Sequence, residues 1–269
     1  MQTPETSRAP RPRRAMGFWI TLGIVLAAPA WAGPPDAAQA WHEARQMVLV
    51  VTPGWTADHG TLQGFERTPD GWQKVAAAVP VMVGKQGAAW GLGLHPAMPD
   101  GPHKREGDGR SPAGVFALGT AFGYAAHAAT ALPWRALKAS DWCVDVPAAA
   151  DYNRIVDAAV AGAAAVAGST EPMRRDLRAD GDQRYALGFV IQHNATARPG
   201  AGSCIFAHLW LDPDTPTTGC TAMAPASMRS LLYWLRPAAH PVFVLLPQAE
   251  YERLRAAWQL PRQALDAGA

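Results

Sequence analysis

The chain has 269 residues, 49% of them hydrophobic and 17% charged, with 25 Gly, 24 Pro and 11 Trp. That composition excludes a disordered, coiled-coil or collagen-like chain and leaves room for one large domain or two small ones. The formal charge is +2, but residues 1–32 carry four arginines and one glutamate, so the remainder is −1 and has no general electrostatic grip on nucleic acid or anionic lipid.

In chain order, Arg8, Arg11, Arg13 and Arg14 form a basic region, residues 16–28 an uncharged apolar stretch, and Ala30-Trp31-Ala32 a small-x-small cleavage site. Residues 1–32 therefore read as a secretory signal peptide, because the apolar stretch is far short of the roughly 20 residues a bilayer span needs. Once the signal is removed, no segment has transmembrane length. Residues 33–45 are a Pro-then-Ala lead-in, read as a linker. Short apolar runs at 47–51, 61–67, 72–75 and 79–83, punctuated by Pro, Gly and Asp, predict a strand meander, with a turn at Pro69-Asp70-Gly71. Further strands are expected at 115–118, 189–193, 204–209 and 242–246. Met228, Leu231, Leu232 and Leu235 recur at helical spacing behind Pro225, and Tyr251, Leu254 and Trp258 do so over 248–258. The segment 148–182 is Ala-rich, then charged, without a clear period; it reads equally as a lid over a site or as a surface insertion. One domain over 46–260 and a tail over 261–269 complete the layout.

Several signatures miss by one residue. His42-Glu43-Ala44-Arg45-Gln46 lacks the second His of a zinc-protease helix, and Gly109-Arg110-Ser111-Pro112-Ala113 lacks the closing Gly of a nucleophile elbow. Lys85 is followed by Gln86 where a phosphate loop needs Ser or Thr. Cys204, His208, Cys220 and His193 are soft metal ligands, yet no Cys-x-x-Cys pair accompanies them, so no metal is expected. Nothing implies a nucleotide or organic cofactor.

One constellation does hold. Strand alternation places Cys204, Phe206 and His208 on one face, and an eleven-residue loop returns the chain as Thr217-Thr218-Gly219-Cys220. A neighbouring imidazole and the amino end of the helix near Pro225 would favour the Cys220 thiolate, and N–H groups around Gly219 and Cys220 would line an oxyanion hole. Taken singly, a Cys is most often a small buried hydrophobe and a His a satisfied core residue.

At Ala207-His208 and Thr217-Thr218-Gly219-Cys220 the chain resembles the L,D-transpeptidase catalytic-domain family, the YkuD-like group that acts on peptidoglycan. A second block, Lys104 through Ser111-Pro112-Ala113-Gly114-Val115-Phe116, is similar to that family's turn feeding a core strand, and by itself reads as structural. The resemblance implies a mainly β fold, a β-sandwich of mixed sheets with peripheral α-helices, located in the periplasm or cell envelope. It implies Cys220 as nucleophile and His208 as its base, with thioester formation on a stem peptide and transfer to an amine or to water. Thr217, Thr218, His193 and Asn194 are the substrate-facing candidates, the last two with a structural role equally open. Two departures stand out: Thr218 replaces the family's His, and Ala222 its carboxylate-recognising Arg, giving a Gly-Cys-x-Ala-Met ending. A non-catalytic wall-binding module on the same fold is the alternative of another class; a papain-like protease has its Cys before its His, the reverse of the order here.

Export leaves three cysteines, an odd number, in an oxidising compartment. With Cys220 kept reduced for chemistry, Cys143 and Cys204 are the expected disulfide; the rival is two separate buried thiols. The oligomeric state is not read from the sequence.

Overall fold

The computed structural model describes residues 1–2 and 40–262. The signal segment, all but its first two residues, lies outside the described residues, as do 33–39 of the linker and 263–269 of the tail. Among the described residues no helix is long and apolar enough to cross a membrane.

The protein is mainly β. Its first strands follow the apolar runs: β1 (Gln46–Thr52), β2 (His59–Thr68), β3 (Gly71–Lys74), β4 (Val79–Met82) and β5 (Ala88–Trp90). The expected turn joins β2 to β3, with Thr68 opposite Gly71 and φ of +107° at Gly71, a conformation that favours glycine. β6 (Ser111–Gly123) is the longest strand. It is followed by β7 (Trp134–Ala136), β8 (Asp141–Cys143), β9 (Ile155–Asp157), α1 (Ala158–Ala161), β10 (Glu171–Pro172) and α2 (Arg175–Arg178). The last third holds β11 (Leu187–Ile191), β12 (Phe206–Leu209), β13 (Thr221–Met223), α3 (Pro225–Trp234), β14 (Val242–Pro247) and α4 (Gln248–Leu254).

Where a sandwich was expected, strand pairing closes a ring. The path runs β1, β14, β6, β11, β12, β13, β4 and β2, and β2 pairs back to β1 with Val48 opposite Gly64. β1 therefore has two partners, β14 in parallel and β2 in antiparallel, and the eight strands form a mixed barrel with no free edge between them. All seven β1 residues are buried, as a strand covered on both faces requires. α3 packs on β11 and β12, and α4 on β14 and β1.

Three local departures have physical causes. Residues 40–45 are not linker: Trp41 and Ala44 are buried in the main core, Trp41 edge-on to Trp258 at 5.6 Å. α4 stops at Leu254 because the chain turns under Trp258, with Gln259 left-handed and the Leu260 N–H donating to the Arg255 carbonyl. The strand expected from 204 begins only at Phe206, since Cys204 has φ of +56°.

The periodless segment supplies β9 and β10, the two outer strands of a second, three-stranded sheet in the order β10, β8, β9. It is tied to the barrel in three places. Cys143 of β8 is disulfide-bonded to Cys204, closing a sequence separation of 61. Asn153 donates to the carbonyls of His193 and Asn194 and accepts from the Cys204 N–H at 2.9 Å. Tyr152 donates to Glu106. In the chain-entropy picture a loop of that length contributes about 4 kcal/mol by restricting the unfolded chain.

Candidate active site

β12 and β13 are neighbours in parallel, with Ala207 opposite Thr221 and His208 opposite Ala222. Paired residues of parallel strands share a face, and Cys220 stands two residues before Ala222, so His208, Ala222 and Cys220 lie on one side of the pair. The same side is packed by Tyr185, whose ring meets those of Phe122, Phe206 and His208 edge-on; the Tyr185 and His208 centroids are 5.1 Å apart. His208 and Cys220 line one cavity of about 200 Å³ together with Tyr185, Glu171, Arg175 and Arg184.

The loop that presents Cys220 is held by hydroxyls. Thr217 Oγ1 donates to the Cys220 carbonyl at 2.6 Å, and Ser111 Oγ donates to the same oxygen at 3.0 Å while accepting from the Gly84 N–H. Ser111 thus gives the second sequence block a direct hold on the Cys220 loop. At Gly219, with φ of +152°, a Cβ would sit 3.1 Å from the Arg110 carbonyl, which is why the chain narrows there. The Gly219 N–H donates to Thr217 Oγ1, so this amide is engaged in the resting site rather than free to receive an oxyanion.

His208 is 4% exposed, and its Nδ1 lies 2.7 Å from the Leu209 carbonyl. A carbonyl only accepts, so Nδ1 carries the proton and Nε2 keeps a lone pair. Burial, reinforced by the positive charges of Arg184 and Arg175, holds its pKa at about 4 against the opposing Leu209 bond. Cys220 is 7% exposed and is the one free cysteine. Its Sγ donates to the Cys204 carbonyl at 3.5 Å and accepts from the Phe206 N–H at 3.4 Å. Burial and the negative charge of Glu171 push the thiol up to about 12. The expected resting thiolate is therefore corrected: the pair is neutral thiol and neutral imidazole. The helix invoked to stabilise a thiolate begins at Pro225, beyond β13.

Glu171, Tyr185, Arg175, Asp182 and Arg184 were not singled out by the sequence. Tyr185 donates to Glu171 Oε1 at 2.8 Å, Arg175 Nε donates to Asp182 at 2.7 Å, and Arg184 grips both oxygens of Asp182. Burial raises the Glu171 carboxyl, whereas the two arginines drive Asp182 far below the carboxylate range. The cluster of arginines among 174–184 is the one sequence signal that marks this wall.

The other candidates divide. Thr218 is exposed and lines the cavity; Thr217 is buried with its hydroxyl committed to the backbone. His193 and Asn194 are structural, correcting their substrate-facing reading. His193 is wedged between the Leu92 N–H and the Ala201 carbonyl, and the Asn194 side chain closes the 194–202 loop through Arg198 and Gly202. Cys204 is bonded to Cys143 and is no metal ligand; among the described residues no group of three His, Cys, Asp or Glu side chains is placed to hold a metal.

Two measurements follow from these charge states. His193, like His208, is held at about 4 by burial, against 6.5 in the open chain. Below 6.5 the unfolded chain takes up protons that the folded chain refuses, so stability is full above that pH and declines as the pH falls toward 4. By pH 5 the urea unfolding free energy is expected to drop by about 2 kcal/mol for each imidazole relative to pH 7.5; a flat profile contradicts the assignment. In the folded protein at pH 8, alkylation of Cys220 is expected to be at least about 100-fold slower than after unfolding without reductant, where it should be the single labelled thiol. Three labels, or equal rates, would contradict the bonded pair or the protected thiol respectively.

No protein-family model matches the chain. No curated protein matches it. Among solved structures it is similar to the Bdellovibrio bacteriovorus protein Bd1075, at 15% identity and a TM-score of 0.36, over 80% of this chain and 55% of that one. The chain thus spans about half the length of that neighbour, and a likeness of this size carries no argument for the fold or the chemistry.

Proposed function

We propose that the protein is an exported cysteine-dependent acyltransferase of the L,D-transpeptidase type, acting on peptidoglycan stem peptides. The observation that carries this reading is the free Cys220 beside a His208 whose tautomer leaves Nε2 able to take a proton, on adjoining strands in one cavity. With the imidazole held at about 4 and the thiol at about 12, the proton stays on sulfur at rest, so its transfer to Nε2 has to accompany attack on the carbonyl.

Cys220 Sγ attacks the carbonyl between the third residue of the stem peptide and its terminal D-alanine, and its proton passes to His208 Nε2. The tetrahedral oxyanion collapses, the C–N bond breaks, and the imidazolium returns the proton to the departing D-alanine amine, leaving a thioester on Cys220. An acceptor amine then attacks the thioester, gives a proton to His208, and releases the thiolate, which the imidazolium reprotonates. Water in place of the amine makes the same protein an L,D-carboxypeptidase. A second cavity of about 270 Å³, lined by Lys85, Lys104, Glu106 and Asp145, also reaches Cys220.

The test is incubation of the mature chain with tetrapeptide muropeptides, read by mass spectrometry. Release of D-alanine with peptide dimers is expected for the wild type, at least about 1,000-fold less for Cys220→Ala, and a severe loss for His208→Ala. D-alanine release without dimers would assign the hydrolase; full activity in Cys220→Ala would end the proposal, and binding without turnover would assign a wall-binding module.

A further inference from the structure

Cys220 lines two cavities of unlike chemistry. The one it shares with His208 has two cations in its lining, Arg175 and Arg184, and no lysine. The second mixes Lys85 and Lys104 with Glu106 and Asp145. Glu171 and Thr218 belong to both walls.

The two guanidinium groups are only partly used. Arg184 holds Asp182 through Nε and Nη2, and Arg175 reaches Asp182 through Nε and Glu171 through Nη1. Arg184 Nη1 and Arg175 Nη2 make no hydrogen bond among the described residues. Both guanidinium groups thus anchor on Asp182, which does not line the cavity, and Arg175 also reaches Glu171, which does. Two guanidinium groups and one carboxylate, Glu171, therefore face a half-closed cavity. Arg175 is held in place by its stacking over the Tyr185 ring, 5.6 Å from the centroid. Planar forks pre-set in this way match a carboxylate better than a flexible ammonium does.

Place in the reaction says which carboxylate. The amine that leaves is protonated by His208, so the residue that departs occupies the cavity on the His208 side. About 200 Å³ has room for a small residue such as alanine. We propose that Arg175 and Arg184 bind the C-terminal carboxylate of the leaving residue, which makes the enzyme exo-acting: it cleaves only the last peptide bond of a stem. The inference rests on the proposed role of Cys220, and it supplies a carboxylate clamp from residues 175 and 184 in a chain where Ala222 provides none.

The test compares a synthetic stem tetrapeptide ending in D-alanine with the same peptide as its C-terminal amide. Calorimetry on Cys220→Ala, which needs no turnover, is expected to give the acid about 10- to 100-fold tighter binding than the amide. Adding Arg184→Gln should remove most of the difference between acid and amide by weakening the acid, Arg175→Gln should do the same in part, and Arg184→Lys should restore only part of the difference. In the wild type, kcat/KM should be at least about 10-fold higher for the acid. Equal affinities, or binding of neither peptide, would overturn the subsite. Discrimination by Cys220→Ala with no turnover of either peptide by the wild type would uphold the subsite and remove the proposed reaction; equal turnover of acid and amide would remove the subsite and keep the reaction.

Discussion

The site depends on one contact, the parallel pairing of β12 with β13. Parallel neighbours cannot be joined by a tight turn, so the chain must leave β12 after Leu209 and come back through a loop before it can lie alongside. Residues 210–220 make that return. The Trp210 N–H stays bonded to the Met223 carbonyl, and Asp212 closes the loop's outer bend on Thr215 and the Asp214 N–H. Cys220 is thereby delivered to the start of β13 on the face that His208 occupies on β12. Slipping the register by one residue would turn Cys220 to the opposite face and part the two groups.

Once paired, the two side chains are governed by burial more than by each other. Neither makes a hydrogen bond to the other at rest: the thiol is turned to the Cys204 carbonyl and the imidazole N–H to that of Leu209. Low dielectric penalises a thiolate and an imidazolium alike, and Glu171 on one side and the arginines on the other push each group further from its charged form. The same surroundings reward a charge that forms only where fixed dipoles and cations await it. The small sheet sets these surroundings. Glu171 of β10 pairs with Cys143 of β8, and Cys143 is bonded to Cys204, whose carbonyl receives the Cys220 thiol. The disulfide thus joins the wall that bears Glu171 to the backbone beside Cys220.

The strands and the two core residues of the site were legible for a simple reason. Runs such as 47–51 and 242–246 are apolar because both faces of those strands are buried, and His208 and Cys220 stand near each other in the chain. Barrel closure was not legible, because an unbroken apolar run reports that both faces of β1 are buried and not that β14 and β2 lie on its two edges. The wall of Glu171, Arg175, Arg184 and Tyr185 was missed because it comes from short elements without a period, brought in by the disulfide and by Asn153. His193 and Asn194 misled for the opposite reason. Polar residues just after a strand look available, but their partners are carbonyls and N–H groups of other loops, at Ala201, Leu92, Arg198 and Gly202.

The central claim is that Cys220 carries the acyl group. The most direct measurement is acid quenching of the wild-type protein within its first turnovers on a tetrapeptide stem, followed by intact-mass and peptide mapping. The account predicts an adduct equal in mass to the stem peptide less D-alanine, located on Cys220 and removed by hydroxylamine as a thioester should be. Steady release of D-alanine with no such adduct, or an adduct on any other residue, would contradict it.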